Sequence, residues 1–96
     1  MLVLITYDVN TETTAGRKRL RQVAKVCQDY GSRVQNSVFE CELDAGQLLF
    51  VKNKLVGLID LAVDSLRIYK LGNKHTNKVE HHGIKPSLKV TEPLII

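Results

Sequence analysis

The chain of 96 residues has the length of one domain, which is enough to bury a small hydrophobic core. No apolar stretch approaches the roughly 20 residues of a membrane-spanning helix, and the N-terminal apolar run lacks the basic flank and cleavage site of a signal peptide. These features argue against a membrane protein, and we expect a cytoplasmic one. The net charge of +4 is modest, so the position of the charges says more about partners than their sum does.

The N-terminal run Leu2–Asp8 is the segment around which the predicted fold is organised. Its first four residues are apolar at both odd and even positions, which is typical of a central strand covered on both sides. Asp8 follows at the carboxyl end, just before a polar loop, where binding and catalytic groups often lie. An acidic residue that merely ends a strand is about equally common, so the residues alone favour neither interpretation of Asp8.

The next segment predicts a helix from about Thr14 to Tyr30. We expect Thr11, Thr13 or Thr14 to cap its N-terminus, because threonine hydroxyls accept hydrogen bonds from the first free amides. Gly31 would end the helix in the left-handed conformation that glycine tolerates. The apolar stripe of this helix is Leu20, Val23, Ala24, Cys27 and Tyr30.

A second stripe of the same helix is basic. Arg17, Arg21 and Lys25 recur at every fourth position, with Lys18 and Arg19 beside them. Such a stripe is usually a solvated surface. However, these charges have almost no acidic residues between them and repel one another, which favours an anionic partner such as nucleic acid.

The remaining core segments predict two strands, a helix and a further strand. Residues 33–43 change apolar parity near Gln35–Ser37, so a turn or bulge should divide them into two strands. Asp44 would cap the second helix, and residues 64–71 would form the last core strand. The core stripe of the second helix is Leu48, Val51, Leu55, Leu58 and Ile59, with Leu49, Phe50 and Val56 lying off it.

The order strand, helix, strand, strand, helix, strand is typical of an α+β, ferredoxin-like βαββαβ fold. Both helices would cover one face of the sheet and leave apolar residues of the first strand bare on the other, so we predict a homodimer. We assign residues 1–72 to the ferredoxin-like core. Residues 73–96 form a C-terminal extension that we expect to add a strand to a sheet edge, in the same subunit or in its partner.

The cysteines and histidines do not predict a zinc site. The spacing of His75, His81 and His82 matches no standard zinc pattern, and Cys27 and Cys41 lie far upstream. Both cysteines fall at predicted core positions and are most simply small buried hydrophobic residues.

Asp8 and the basic helix are the remaining candidates for chemistry. A carboxylate can hold Mg²⁺ or Mn²⁺ against a phosphate, while arginines and a helix N-terminus bind the rest of a nucleic-acid backbone. This set suits phosphodiester hydrolysis. One carboxylate per chain is few, but a dimer would supply two copies of Asp8.

Three segments carry a resemblance to a known family: Tyr7–Asp8, Arg17–Arg21 and Tyr30–Glu40. Over residues 1–71 the chain resembles the small CRISPR-associated endonucleases, the ferredoxin-like proteins that partner the larger integrase in acquiring spacers. The resemblance implies a homodimer in which two copies of Asp8 face each other and share Mg²⁺. It also implies cleavage of RNA or double-stranded DNA in CRISPR spacer acquisition and antiviral defence.

The resemblance further implies which residues contact nucleic acid or support activity. These are Tyr7, Arg17, Arg19, Arg33 and Phe39, to which the basic stripe adds Arg21 and Lys25 as predicted nucleic-acid contacts. Asp8 is the predicted catalytic and metal-binding residue.

Two other functions compete with a Mg²⁺-dependent endonuclease. The first is a non-catalytic, dimeric DNA-binding scaffold within the spacer-integration complex, a role that the family also has. The second is an RNA-binding module, which two Phe, three Tyr and no Trp disfavour because few aromatic side chains are available to stack on unpaired bases. The segment Val79–Gly83 resembles only a subset of the family, so RNA and duplex DNA both stay open as substrates.

Overall fold

The computed structural model describes residues 1–71 and 78–84. In these residues the strands form one antiparallel sheet in the spatial order β2-β3-β1-β4-β5. The elements are β1 (Leu2–Asp8), α1 (Thr14–Tyr30), β2 (Gly31–Gln35), β3 (Val38–Glu42), α2 (Ala45–Leu58), β4 (Ser65–Lys70) and β5 (Lys78–Gly83). The first four strands and the two helices have the ferredoxin-like order and topology, so the predicted α+β fold is confirmed.

The central strand β1 separates the two faces of the sheet. Val3, Ile5 and Tyr7 are buried in the core that the helices cover, whereas Leu4 and Asp8 alternate with them and lie on the opposite side, here called the open face. The side chains of β1 on the open face are half-buried or exposed. The apolar character of β1 at both parities therefore reflects one covered face and one that is still accessible.

Helix α1 begins and ends at the predicted residues, but the backbone conformation of Gly31, the residue after it, differs from the prediction. Thr13 is the N-cap, and its Oγ1 accepts a hydrogen bond from Gly16 N at 2.9 Å. Gly31 has φ −161° and ψ −166°, so the predicted left-handed cap is wrong, and β2 begins at the residue directly after α1 ends. Glycine is needed there for space, because a Cβ at this position would collide with Cys41 Sγ.

Helix α2 and the hairpin before it follow the predictions. Asp44 is the N-cap, and it forms a reciprocal capping box with Gln47 through bonds of 2.8 Å and 3.0 Å. The pairing of β2 with β3 is irregular between Arg33 and Gln35, which accounts for the change of parity. The core residues of α2 are Leu48, Val51 and Leu55, while Leu49 and Phe50 are exposed.

Cys27 and Cys41 are free, buried thiols. Burial raises the pKa of Cys27 to about 12 and that of Cys41 to about 11, so neither forms an appreciable thiolate near neutral pH. The prediction that both are small core hydrophobes is confirmed.

At the other edge of the sheet, β5 pairs antiparallel with β4. The proposed boundary between residues 72 and 73, His75 and residues 85–96 of the extension lie outside the described residues. Neither α1 nor α2 is long and apolar enough to cross a membrane.

Candidate metal and nucleic-acid site

Asp8 projects from the carboxyl end of β1 onto the open face. It lies opposite Ser65 of β4 in the sheet register, and its side chain is exposed. The chain just beyond it is fixed, because Val9 is buried and Asn10 N donates a 2.8 Å hydrogen bond to Asp64 Oδ1. A rigid strand therefore presents the carboxylate to solvent.

The surroundings of Asp8 fit a metal that is shared with substrate rather than one enclosed by the protein. Within residues 1–71 and 78–84, no three His, Cys, Asp or Glu side chains converge on one point. Mg²⁺ keeps several waters and is commonly held by one or two carboxylates together with substrate phosphates. An exposed Asp8 would suit such a metal if a second copy of the chain supplied another carboxylate.

The histidines on β5 do not form a common site. His81 lies opposite Arg67 on the open face, whereas His82 lies opposite Leu66 on the helix face. His82 Nε2 is 3.4 Å from Glu80 Oε1, away from Asp8.

Tyr7, Arg33 and Phe39 are brought together behind Asp8, on the helix side of the sheet. The Tyr7 and Phe39 rings stack with centroids 6.2 Å apart, and the Arg33 guanidinium lies 4.9 Å from the centre of the Phe39 ring. Burial raises the pKa of Tyr7. Phe39 has no exposed surface and Tyr7 only 6%, so in this conformation neither ring can stack on a base. Arg33 remains exposed and donates to Asn36 O at 2.7 Å.

The basic residues of α1 divide into two groups. Most are exposed, and a groove of about 480 Å³ between α1 and α2 is bordered by Lys18, Arg21 and Lys25 together with Lys54 of α2. Arg17 lies beside the N-terminus of α1, where its guanidinium donates to Thr11 O at 3.1 Å. We use the name basic groove for this groove with the four cations that border it and with Arg17 beside it.

Arg19 belongs to the second group, because it is engaged inside the protein. It donates from Nε to Asp64 Oδ2 at 2.8 Å, and Asp64 also accepts from the backbone amides of Asp60 and Asn10. Burial alone would raise the pKa of Asp64, but these hydrogen bonds outweigh it and hold the pKa below its usual value. The predicted nucleic-acid contact of Arg19 therefore competes with a buried ion pair, and Arg19 is placed to support the loop after Asp8.

Sequence reasoning missed three residues that the structure connects to this region. Asp64 anchors the loop after Asp8, and Arg67 and His81 lie on the open face and are joined by a 3.1 Å hydrogen bond. The alternation of β4 could have placed Arg67 on the same face as Asp8. Nothing local marks Asp64 as the partner of Arg19 and Asn10, because these two residues lie 45 and 54 positions away.

The sequence and the fold are both similar to those of known proteins. The chain is 62% identical over 95 residues to the CRISPR-associated endonuclease Cas2 of Halalkalibacterium halodurans, covering 99% of each protein. It is 53% identical over 96 residues to the CRISPR-associated endoribonuclease Cas2 of Chlorobaculum tepidum, covering all of both. The structure superposes on the crystal structure of Streptococcus pyogenes Cas2 at pH 6.5 with a TM-score of 0.70 and 61% identity, over 75% of this chain and 87% of that one. Residues 1–79 match the family described as CRISPR associated protein Cas2, and the chain belongs to that family.

Proposed function

We propose that this protein is a metal-dependent endonuclease that hydrolyses phosphodiester bonds of RNA or double-stranded DNA in CRISPR spacer acquisition and antiviral defence. The observation that carries the proposal is the exposed Asp8 carboxylate, held at the end of a rigid central strand. The names of the two relatives support the reaction type, since one is called an endonuclease and the other an endoribonuclease. They also leave both RNA and duplex DNA open as substrates.

Asp8 would hold Mg²⁺, or Mn²⁺ in its place, through carboxylate oxygens. When bound, the ion supplies activation of the attacking water and neutralisation of the phosphate charge. The chain's own contribution is to fix the carboxylate on β1 and to attract the nucleic-acid backbone through the basic groove. A homodimer formed through the open faces would bring a second Asp8 to the same phosphate.

A dimeric, non-catalytic scaffold that binds duplex DNA and the integrase subunit is the second candidate. Two observations favour it: within the described part of the chain no three His, Cys, Asp or Glu side chains form a metal-binding group, and the basic groove lies between the helices, whereas Asp8 lies on the open face. A protein that only holds a duplex needs the cations and not Asp8.

The test is cleavage of labelled duplex DNA and labelled single-stranded RNA by the purified protein, with Mg²⁺ and with EDTA. Asp8→Asn should abolish cleavage while the fold is kept, because an amide matches the carboxylate in size but lacks its charge. Glu12→Gln, which changes an exposed carboxylate in the loop that follows Asp8, should cleave like the unchanged protein. Cleavage by Asp8→Asn at the original rate would exclude Asp8 as the metal ligand. A protein that binds duplex DNA but never cuts either substrate would favour the scaffold.

A further inference from the structure

We propose that Arg67 is a phosphate-binding residue of the Asp8 site, and that His81 and Tyr69 position its guanidinium. The proposal rests on the proposed function in one respect, because it places the bound phosphate next to Asp8. It assigns a substrate contact to β4 and a positioning residue to β5, in addition to the contacts already expected from other elements.

The sheet register places Arg67 and Asp8 side by side. Thr6 of β1 pairs with Arg67 of β4, and Asp8 pairs with Ser65, so Asp8 and Arg67 are diagonal neighbours on the open face. Diagonal neighbours of this kind have Cβ atoms about 7 Å apart. Because Asp8 and Arg67 are close but not directly opposite each other, a phosphate bound by Arg67 would lie next to the Asp8 carboxylate.

The Arg67 guanidinium is held by two neutral acceptors. Its Nε donates to His81 Nδ1 at 3.1 Å, and its Nη1 donates to Tyr69 Oη at 3.3 Å. His81 Nε2 lies 2.8 Å from Ile84 O and must donate to that carbonyl, which leaves Nδ1 without a proton and able to accept from Arg67. These contacts define both the tautomer of His81 and the plane of the guanidinium.

The charge of Arg67 is not compensated by any carboxylate of residues 1–71 and 78–84. The ion pairs formed by Arg19, Lys25, Lys52 and Lys70 all involve an Asp or a Glu, whereas the partners of Arg67 carry no negative charge. An arginine whose plane is fixed, and whose remaining N–H groups have no hydrogen-bond partner among these same residues, is suited to the paired oxygens of a phosphate. His81 and Tyr69 reduce the side-chain entropy that would be lost when the phosphate binds.

A structural alternative is an ion pair between Arg67 and a carboxylate of a second copy of the chain. Glu40 is exposed and lies opposite Leu4 on the open face, so the chain itself offers such a partner. The two interpretations differ in what the removal of Arg67 would weaken: nucleic-acid affinity in one case, the association of two chains in the other.

The first experiment measures the affinity of the full chain for labelled duplex DNA and single-stranded RNA in EDTA, over a range of salt concentrations. Arg67→Ala should weaken binding about tenfold or more and reduce the salt slope by about 1. Arg67→Lys keeps the charge and should keep the slope. Light scattering on the same samples should give equal masses for all variants. Unchanged affinity and slope for Arg67→Ala, or a lowered mass, would overturn the proposal.

The second experiment tests the positioning role of His81. His81→Ala keeps the charge of Arg67, so it should leave the salt slope unchanged but weaken binding several-fold. His81→Gln offers an amide oxygen to Arg67 Nε and should recover most of the affinity. Equal effects of the two substitutions would exclude positioning through this hydrogen bond.

These readouts separate the inference from the proposed nuclease function. Binding in EDTA needs no cleavage, so a protein that never cuts still reports on Arg67. If the unchanged protein cuts and Asp8→Asn does not, while Arg67→Ala binds and cuts normally, only the assignment of Arg67 fails. If Arg67→Ala does not fold, Arg67→Gln removes the charge with less change in packing, and the same two criteria apply to it.

Discussion

Arg19 Nε lies 2.8 Å from Asp64 Oδ2, so α1 is tied to the loop before β4 across 45 residues of chain. The Asp64 side chain has no exposed surface, whereas 18% of the Arg19 side chain is exposed. A buried carboxylate of this kind is tolerated because every available oxygen accepts a hydrogen bond, here from Arg19 and from the Asn10 and Asp60 amides.

Asp64→Ala should lower the free energy of unfolding by about 3 kcal/mol, because it leaves the Arg19 cation and two amides without their partner. Urea denaturation at pH 7 measures the change. Asp29→Asn, which removes the exposed partner of Lys25, is a matched control and should cost less than about 0.5 kcal/mol. Similar costs for the two variants would contradict the assigned role of Asp64.

The same pair predicts a dependence of stability on pH. The pKa of Asp64 is lowered in the folded protein, so its contribution is fully present above the unfolded value of about 3.9 and is lost as the pH falls through the lower folded value. The difference in unfolding free energy between the unchanged protein and Asp64→Ala should therefore be constant near neutral pH and shrink below about pH 4. A difference that grows on acidification would have the wrong sign.

Glu80 should anchor β5 to the rest of the fold. Its carboxylate lies 2.7 Å from Lys70 Nζ and 3.2 Å from Lys52 Nζ, which joins β5 to β4 and α2, and these contacts lower its pKa from 4.5 to about 2. Glu80→Gln should speed hydrogen exchange of the β5 amides more than that of β1. Since the pKa is lowered, the stabilisation is present above about pH 4.5 and disappears towards pH 2. If hydrogen exchange of the β5 amides is unchanged in Glu80→Gln, backbone pairing with β4 alone holds β5 in place.

The cations of the basic groove should act on nucleic acid through phosphates. Alanine at Arg17, Arg21 and Lys25 should weaken binding about equally for all sequences and lower the salt slope by about 1 for each phosphate-binding cation removed. Gln28→Ala, a neutral change at an exposed position of the same helix, should alter neither quantity. If the salt slope is unchanged in the triple variant, these charges do not bind phosphates and only form a solvated surface of the helix.

The open face should be the dimer interface. Light scattering should give twice 10.8 kDa for the unchanged protein, and Leu4→Glu should give the monomer mass because it places a charge at the centre of the open face. Leu49→Glu alters the exposed side of α2 and should leave the dimer intact. If Leu49→Glu gives the monomer mass and Leu4→Glu gives the dimer mass, the interface lies on α2 instead.

The parts of the fold that could be predicted are those that depend on local patterns. The helical period predicts α1, and the threonines before it and the glycine after it indicate approximately where it begins and ends. Asp44 can be identified as a cap because its side chain bonds an amide only three residues away. The left-handed conformation predicted for Gly31 is wrong. Glycine is required there for another reason: a Cβ would collide with Cys41, which becomes a neighbour of Gly31 only after β2 and β3 pair.

The candidate site was predictable to the same extent. Asp8 ends an apolar strand and stands out for that reason. Arg67 and His81 look like ordinary polar strand residues. Only the pairing of β4 with β1 brings Arg67 beside Asp8, and only the pairing of β4 with β5 brings His81 beside Arg67. The nucleic-acid contact predicted for Phe39 takes no account of the burial of its side chain. A resemblance to a family suggests a role for a residue but does not say how much of its side chain is accessible.

The junction between α1 and β2 restricts how the length of this chain can vary. Since no loop residue separates Tyr30 from Gly31, the end of the helix determines which side chains of β2 face each side of the sheet. One inserted residue would turn Arg33 away from Phe39 and onto the open face, and only a second would return it. Natural variants and engineered insertions at this junction should therefore be confined to even numbers of residues, whereas the loop after Asp8 carries no such parity rule.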